Sequence, residues 1–124
     1  NVKNVLGDKN KNIIKDENIN NIKVRFQKIS DLSPKDLRKL VDEGKNYLKE
    51  GIVIVCASKD GKVGLAIGVT NSLTNNYDAV QLVRVGSEII GGKGGGGRKD
   101  FAQAGGSRKE KIDEAFKKIR TLIK

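Results

Sequence analysis

From residue 22 onward, apolar and polar positions alternate with the period of a half-buried strand: Ile22, Val24 and Phe26 are separated by Lys23, Arg25 and Gln27. Ser33-Pro34-Lys35-Asp36 then predicts a helix start, with Ser33 as N-cap and Pro34 at the first helical position. Leu37, Leu40, Val41 and Leu48 share one helical face, and Gly51 is expected to stop the helix. Ile52 to Ala57 is apolar on both faces, the pattern of a central strand, and Asp60-Gly61 predicts a hairpin into the next strand, Val63 to Thr70. That strand carries Val63, Leu65, Ile67 and Val69 on one face and only Gly64, Ala66 and Gly68 on the other. A face so small lets a helix or another backbone come close.

Asp78 is the expected N-cap of a second helix, in which Ala79, Leu82, Val83, Gly86 and Ile90 share a side. A glycine-rich loop follows over residues 91–106, with a short strand at Phe101 to Ala104 inside it. Ser107-Arg108-Lys109-Glu110 has the form of a capping box opening a third helix. Ile112, Phe116, Ile119 and Ile123 face inward on it, while Lys111, Lys117, Lys118, Arg120 and Lys124 cover the rest. The order predicts an α/β fold in a single domain: a mixed β-sheet with an antiparallel hairpin, helices packed on it, and a C-terminal amphipathic helix. Residues 1–21 are Asn/Lys-rich with isolated apolar positions, and are expected to be the end of an interdomain linker, helical or disordered. The domain proper is expected over 22–124.

Composition narrows the chemistry. The 124 residues suffice for one domain, and a chain that opens on Asn1 and has no methionine is expected to be part of a longer protein. The net charge of +10 points to a polyanionic partner. Residues 51–90 are neutral, whereas residues 91–124 hold ten Lys/Arg against four Asp/Glu, so the charge collects in and after the glycine loop. Histidine is absent and Cys56 is the single cysteine, which excludes a structural zinc site, a histidine general base and a histidine-dependent triad. Cys56 is expected to be a core residue of a protein kept reduced in the cytoplasm. No apolar run approaches the ~20 residues of a membrane span.

Eight of the sixteen residues from Gly91 to Gly106 are glycine. Without Cβ atoms such a loop can turn its N–H groups toward one point and cradle a phosphate, and Lys93, Arg98 and Lys99 supply charge beside it. A P-loop is excluded because Gly92-Lys93-Gly94 lacks the Ser/Thr that would ligate magnesium. A dinucleotide fingerprint is disfavoured because the loop follows a helix, not a strand.

The full string Gly-Gly-Lys-Gly-Gly-Gly, a basic residue and Asp, then an apolar residue and Ala-Gln-Ala-Gly-Gly, resembles the signature of the DHH-associated C-terminal domain of bacterial alanyl-tRNA synthetases. The likeness covers roughly residues 22–124; the chain departs from it by one extra glycine, by Lys99 in place of proline and by Phe101 in place of methionine. The resemblance implies a tRNA-binding domain that grips the outer corner of tRNA, that of alanine, and links aminoacylation to editing. It implies as partners the other domains of the parent ligase and a second copy of the chain, and no membrane. No catalytic residue, metal or cofactor is expected in this chain; the parent would use ATP with magnesium, and zinc for editing. The expected RNA contacts are Lys93, Gly94, Gly95, Gly96, Gly97, Arg98, Lys99, Gln103 and Arg108. Two alternatives remain at this point: the substrate-binding domain of a DHH-type phosphoesterase, whose Gly-Gly-Gly-His motif lacks its histidine here, and an oligomerisation module. Phe101 is read either as a core residue or as a stacking platform for a base.

Overall fold

The computed structural model describes residues 12–92 and 95–123. The chain runs β1 (Asn12–Ile19), β2 (Ile22–Ser30), α1 (Leu37–Leu48), β3 (Ile52–Lys59), β4 (Lys62–Val69), α2 (Ala79–Ile89), β5 (Gly95–Gly97), β6 (Phe101–Gly106) and α3 (Ile112–Leu122). Among the described residues six strands form one sheet, in the order β1-β2-β3-β4-β6-β5. Only the β2–β3 pair is parallel, as the intervening α1 requires; the other neighbours are antiparallel. The expected mixed sheet with packed helices and a C-terminal helix is what the structure contains.

Helices cover both faces of the sheet. Val24, Phe26, Ile52, Ile54, Leu65 and Ile67 point to the side held by α2 and α3, where they meet Leu82, Val83, Ile112 and Ile119. Val53, Val55, Ala57 and Ala66 point to the other side and meet Leu37, Val41 and Leu48 of α1. The small face of β4 is where α1 lies: a Cβ on Gly68 would strike the Val41 and Lys45 side chains. The central strands β3 and β4 are thus buried on both sides, which is why their sequences are almost continuously apolar.

The Asp60-Gly61 hairpin forms with both residues at positive φ (53° and 80°), the type I′ geometry that matches strand twist. Asp78 caps α2 through its carboxylate, which accepts from the Val80 N–H at 2.9 Å.

Four expectations need correction. Residues 12–19 are a strand, not a helical or disordered lead-in: β1 pairs along its whole length with β2 through a turn at Asn20 and Asn21, both at positive φ. As an edge strand it is mostly exposed and held by polar ties, so it carries little apolar signal. Arg25 donates to both Asp16 oxygens (2.8 and 3.0 Å), which holds the Asp16 carboxyl below its ordinary range, and Arg120 binds Glu17. The remainder of that lead-in, residues 1–11, lies outside the described residues. Ser33 does not cap α1 with its side chain; Pro34–Asp36 form a 3-10 turn, closed by the Asp36 N–H on the Ser33 carbonyl, and α1 begins at Leu37. The α1 stop is Lys49, at φ 69°, whereas Gly51 opens the approach of β3 to the Lys23 carbonyl. Ser107 likewise makes no side-chain cap, because a 3-10 turn over Lys109–Lys111 intervenes before α3.

Cys56 is wholly buried on β3, and burial pushes its thiol up to about 12. Above its ordinary value near 9 the unfolded chain loses this proton first, so stability falls as pH rises past that point. The native chain is expected to resist a thiol reagent at pH 8 and to react completely after unfolding in urea. Rapid labelling of the native chain would show a core more open than this one.

Candidate nucleic-acid interface

Over residues 95–106 the glycine segment folds as a hairpin, not as a cradle. Gly95, Gly96 and Gly97 pair with Ala104, Gln103 and Ala102, making β5 the edge of the sheet and β6 its neighbour against β4. The short strand expected at Phe101 to Ala104 is present and runs on to Gly106. Extended pairing strands send successive N–H groups in opposite directions, so convergence on one anion is lost over Gly95–Gly97. The glycines are instead needed for close approach. A Cβ on Gly92 would collide with the Gly105 carbonyl and the Ser87 hydroxyl, and Gly97, at φ 149°, passes directly over the Phe101 carbonyl and Ala102.

The hairpin tip is fixed from three sides. Arg98 and Phe101 close it by reciprocal backbone bonds (2.7 and 3.2 Å), leaving Lys99 and Asp100 as its two turn residues. The Lys99 carbonyl accepts from the first N–H of α2, on Ala79, at 3.0 Å. The Asp100 carbonyl accepts from Val69 N–H at 2.9 Å and from Lys45 Nζ at 2.8 Å. Phe101 packs on the α1 side of the core, and the Arg38 guanidinium lies 5.0 Å from its ring centre. Of its two sequence readings, the core role is the one the structure places.

Arg98 projects from this tip with 73% of its side chain exposed, its nearest carboxylate being Asp100 at 3.9 Å. Lys99 beside it is exposed as well. Gln103 stands on the same sheet face as Phe101, opposite Gly96, and is exposed where α1 no longer covers the sheet; a Cβ on Gly96 would meet nothing. Arg108 lies two residues past the other end of β6, seven residues after Phe101 or at most about 23 Å at ~3.3 Å per residue, with its side chain over Gly91. Lys93 and Gly94 lie outside the described residues. The described candidates therefore form a line along one hairpin, cations at both ends and a nearly side-chain-free ribbon between.

Sequence reasoning missed Arg38 and Lys45. Both come from α1, which touches the hairpin only because β4 presents Gly64, Ala66 and Gly68 to it. The signal was present: Arg38, Val41 and Lys45 recur at three- and four-residue spacing on one helical face. Among the described residues, no group of three or more His, Cys, Asp or Glu side chains is placed to hold a metal ion.

A basic α/β domain with this sheet and this glycine hairpin has known relatives. The family model of the DHHA1 domain matches residues 21–124, and the chain belongs to that family. It is 48% identical over 103 residues to the alanine–tRNA ligase of Parvibaculum lavamentivorans, and 43% identical over 108 residues to that of Hyphomonas neptunium. These alignments cover 82% and 87% of this chain but 12% of each relative, so the chain spans a small part of the length of the curated relatives it matches. Among solved structures it is similar to the C-Ala domain of Aquifex aeolicus alanyl-tRNA synthetase, with a TM-score of 0.82 and 29% identity, covering 88% of this chain and 97% of that one. A DHH-domain member of the s1p family of ribosomal proteins matches with a TM-score of 0.54 at 20% identity, over 85% of this chain and 27% of that one, and shares the fold.

The anchoring of the tip is open to test. Lys45→Met removes one charge-assisted bond of about 1.5–3 kcal/mol and should speed amide exchange at Phe101 and Val69 by about tenfold or more while leaving the β3 amides protected. Unchanged exchange would show that the backbone bonds alone hold the turn.

Proposed function

We propose that the chain is the C-terminal domain of a cytoplasmic alanyl-tRNA synthetase and binds tRNA, gripping its outer corner and helping to link aminoacylation with editing. The observation that carries this reading is the close similarity to the C-Ala domain over nearly the whole of both chains. Sequence identity to two alanine–tRNA ligases supports it. On this reading ligation belongs to the parent enzyme, with its ATP, magnesium and zinc, and the chain contributes binding.

The β5–β6 hairpin is the proposed contact. Arg98 and Lys99 at the tip and Arg108 at the base would meet phosphates, while the bare ribbon between lets an RNA backbone come close without side-chain clashes. Gln103, exposed opposite Gly96, would reach a ribose or base edge. Phosphate contacts position an RNA without reading its sequence, so recognition here is of shape. Self-association is a further proposed role, which sedimentation of the chain alone decides.

Binding to the alanine tRNA should fall with salt at a log–log slope of roughly −0.7 to −0.9 per phosphate contacted. Arg98→Ala should lower affinity about three- to tenfold and flatten that slope by about 0.8, measured by filter binding over a salt series. Equal binding of wild type to tRNA and to a plain RNA hairpin would reduce the interaction to nonspecific electrostatics. Unchanged affinity of the variant at low salt would remove Arg98 from the contact.

A further inference from the structure

At the opposite edge of the sheet from the glycine hairpin, a groove of about 390 Å³ runs between α3 and the β1–β2 hairpin. Its floor is apolar: Ile13, 43% exposed, and the Phe116 ring, which packs at 5.3 Å against the buried ring of Phe26. Its walls are cationic, with Lys15 and Lys28 from the sheet and Lys117 and Arg120 from α3. Among the described residues Asp113 is the one carboxylate lining it, 82% exposed and 3.4 Å from Lys28, while Glu17 just outside binds Arg120. Two neighbouring grooves make the contrast. One has Lys28, Lys59 and Lys109 balanced by Asp31, Asp60 and Glu110; the other has Lys35, Lys59 and Lys62 balanced by Asp31, Asp36 and Asp60. Charge excess thus coincides with an apolar floor at the α3 groove and not at the other two.

That combination selects among polyanions. An acidic peptide would satisfy the lysines but would need apolar side chains among its carboxylates to cover the floor as well. A nucleotide has both a phosphate and a planar base, and bases that are free of pairing stack on aromatic rings and on guanidinium planes. The Arg120 guanidinium carbon stands over the Phe26 ring, 5.2 Å from its centre, and the group is tied there by its bond to Glu17. The volume lies within the ~300–1,000 Å³ range of small-ligand sites.

We propose that this groove takes an unpaired nucleotide of an RNA, its base on Ile13 and Phe116 beside Arg120 and its flanking phosphates on Lys15, Lys28 and Lys117. The inference rests on the RNA-binding reading above but names a separate contact: five strand spacings of about 4.8 Å put the groove roughly 24 Å from β5. The domain then touches RNA at both sheet edges, by shape at the glycine hairpin and by an open base at α3.

The test uses the whole 124-residue chain as wild type, Lys15→Glu/Lys117→Glu, Lys15→Arg/Lys117→Arg and Arg98→Glu, each checked for an unchanged thermal melt. The probe is a fluorescein-labelled uridine octamer, followed by anisotropy, with a 4-thiouridine version for photocrosslinking. Reversal of the two lysines should weaken octamer binding about tenfold and lower the salt slope by about 1.4, at ~0.7 per phosphate of a single strand. The arginine pair should restore wild-type binding, and crosslinks should map to the peptides carrying Ile13 and Phe116. Unchanged octamer binding in the reversed variant, or crosslinks confined to residues 95–101, overturns the groove and leaves the hairpin reading standing, as tRNA loss in Arg98→Glu would then show. Displacement of the octamer by octaglutamate at equal charge concentration overturns it in favour of an acidic peptide. If wild type binds neither octamer nor tRNA, both readings fall.

Discussion

The rest of the structure depends on how closely α1 can lie against β4. Three small residues, Gly64, Ala66 and Gly68, clear one face of that strand, and the helix settles until Val41 and Lys45 occupy the space a Gly68 side chain would need. Gly44 makes the reciprocal allowance on the helix, where a Cβ would press on Val53 at 2.8 Å. This approach buries β3 and β4 on both faces and brings the Lys45 ammonium to the Asp100 carbonyl, so the same contact that closes the core also fixes the glycine hairpin. Burial drives the arrangement, and the hydrogen bond rides on it: a lysine held at 2.8 Å from a carbonyl is affordable only where its carbon stem is already packed.

The hairpin inherits its rigidity from that core. Its tip carbonyls are taken by α1, α2 and β4, and its base is tied where the Ile90 carbonyl accepts the N–H groups of Ser107 and Arg108, both at 2.9 Å. A hairpin with so many fixed points does not behave as a linker. It pays little further ordering entropy when a ligand arrives, which favours a contact made mainly by backbone shape and by a few exposed cations.

Strands β2, β3 and β4 and the helices were legible because each carries a period that burial demands: alternation at Ile22–Phe26, a continuous apolar run at Ile52–Ala57, and one-sided apolar spacing in α1 to α3. What escaped was held by polar or backbone forces. β1 joins the sheet through its ladder, the Asp16–Arg25 pair and the Asn20-Asn21 turn, none of which has an apolar period, though two asparagines between Ile19 and Ile22 were a turn signal in their own right. Helix starts were misplaced at Ser33 and Ser107 for one reason: a 3-10 turn supplies the first bonds, so the side-chain cap is not needed. At the site, the exposed cations Arg98, Lys99 and Arg108 could be named from sequence. Their spread along β6, and the part played by α1, depend on packing that no local pattern records.

The glycine run shows how composition can point to a surface without fixing its geometry. A density of glycine next to Lys and Arg reads as a cradle of converging N–H groups, yet Gly95–Gly97 spend their N–H and C=O groups in and beside a strand ladder. A nest concentrates positive potential at a point and suits a single phosphate. A bare strand edge flanked by cations spreads it along a line, and a line suits a polymer whose charges recur along its length. This distinction separates the hairpin from nucleotide-binding loops on physical grounds, independently of the missing Ser/Thr and histidine. On the proposed RNA-binding reading it also bears on selectivity: contacts strung along a backbone tolerate any base sequence, so discrimination would come from the shape of the folded RNA or from places where a base stands clear of its stack.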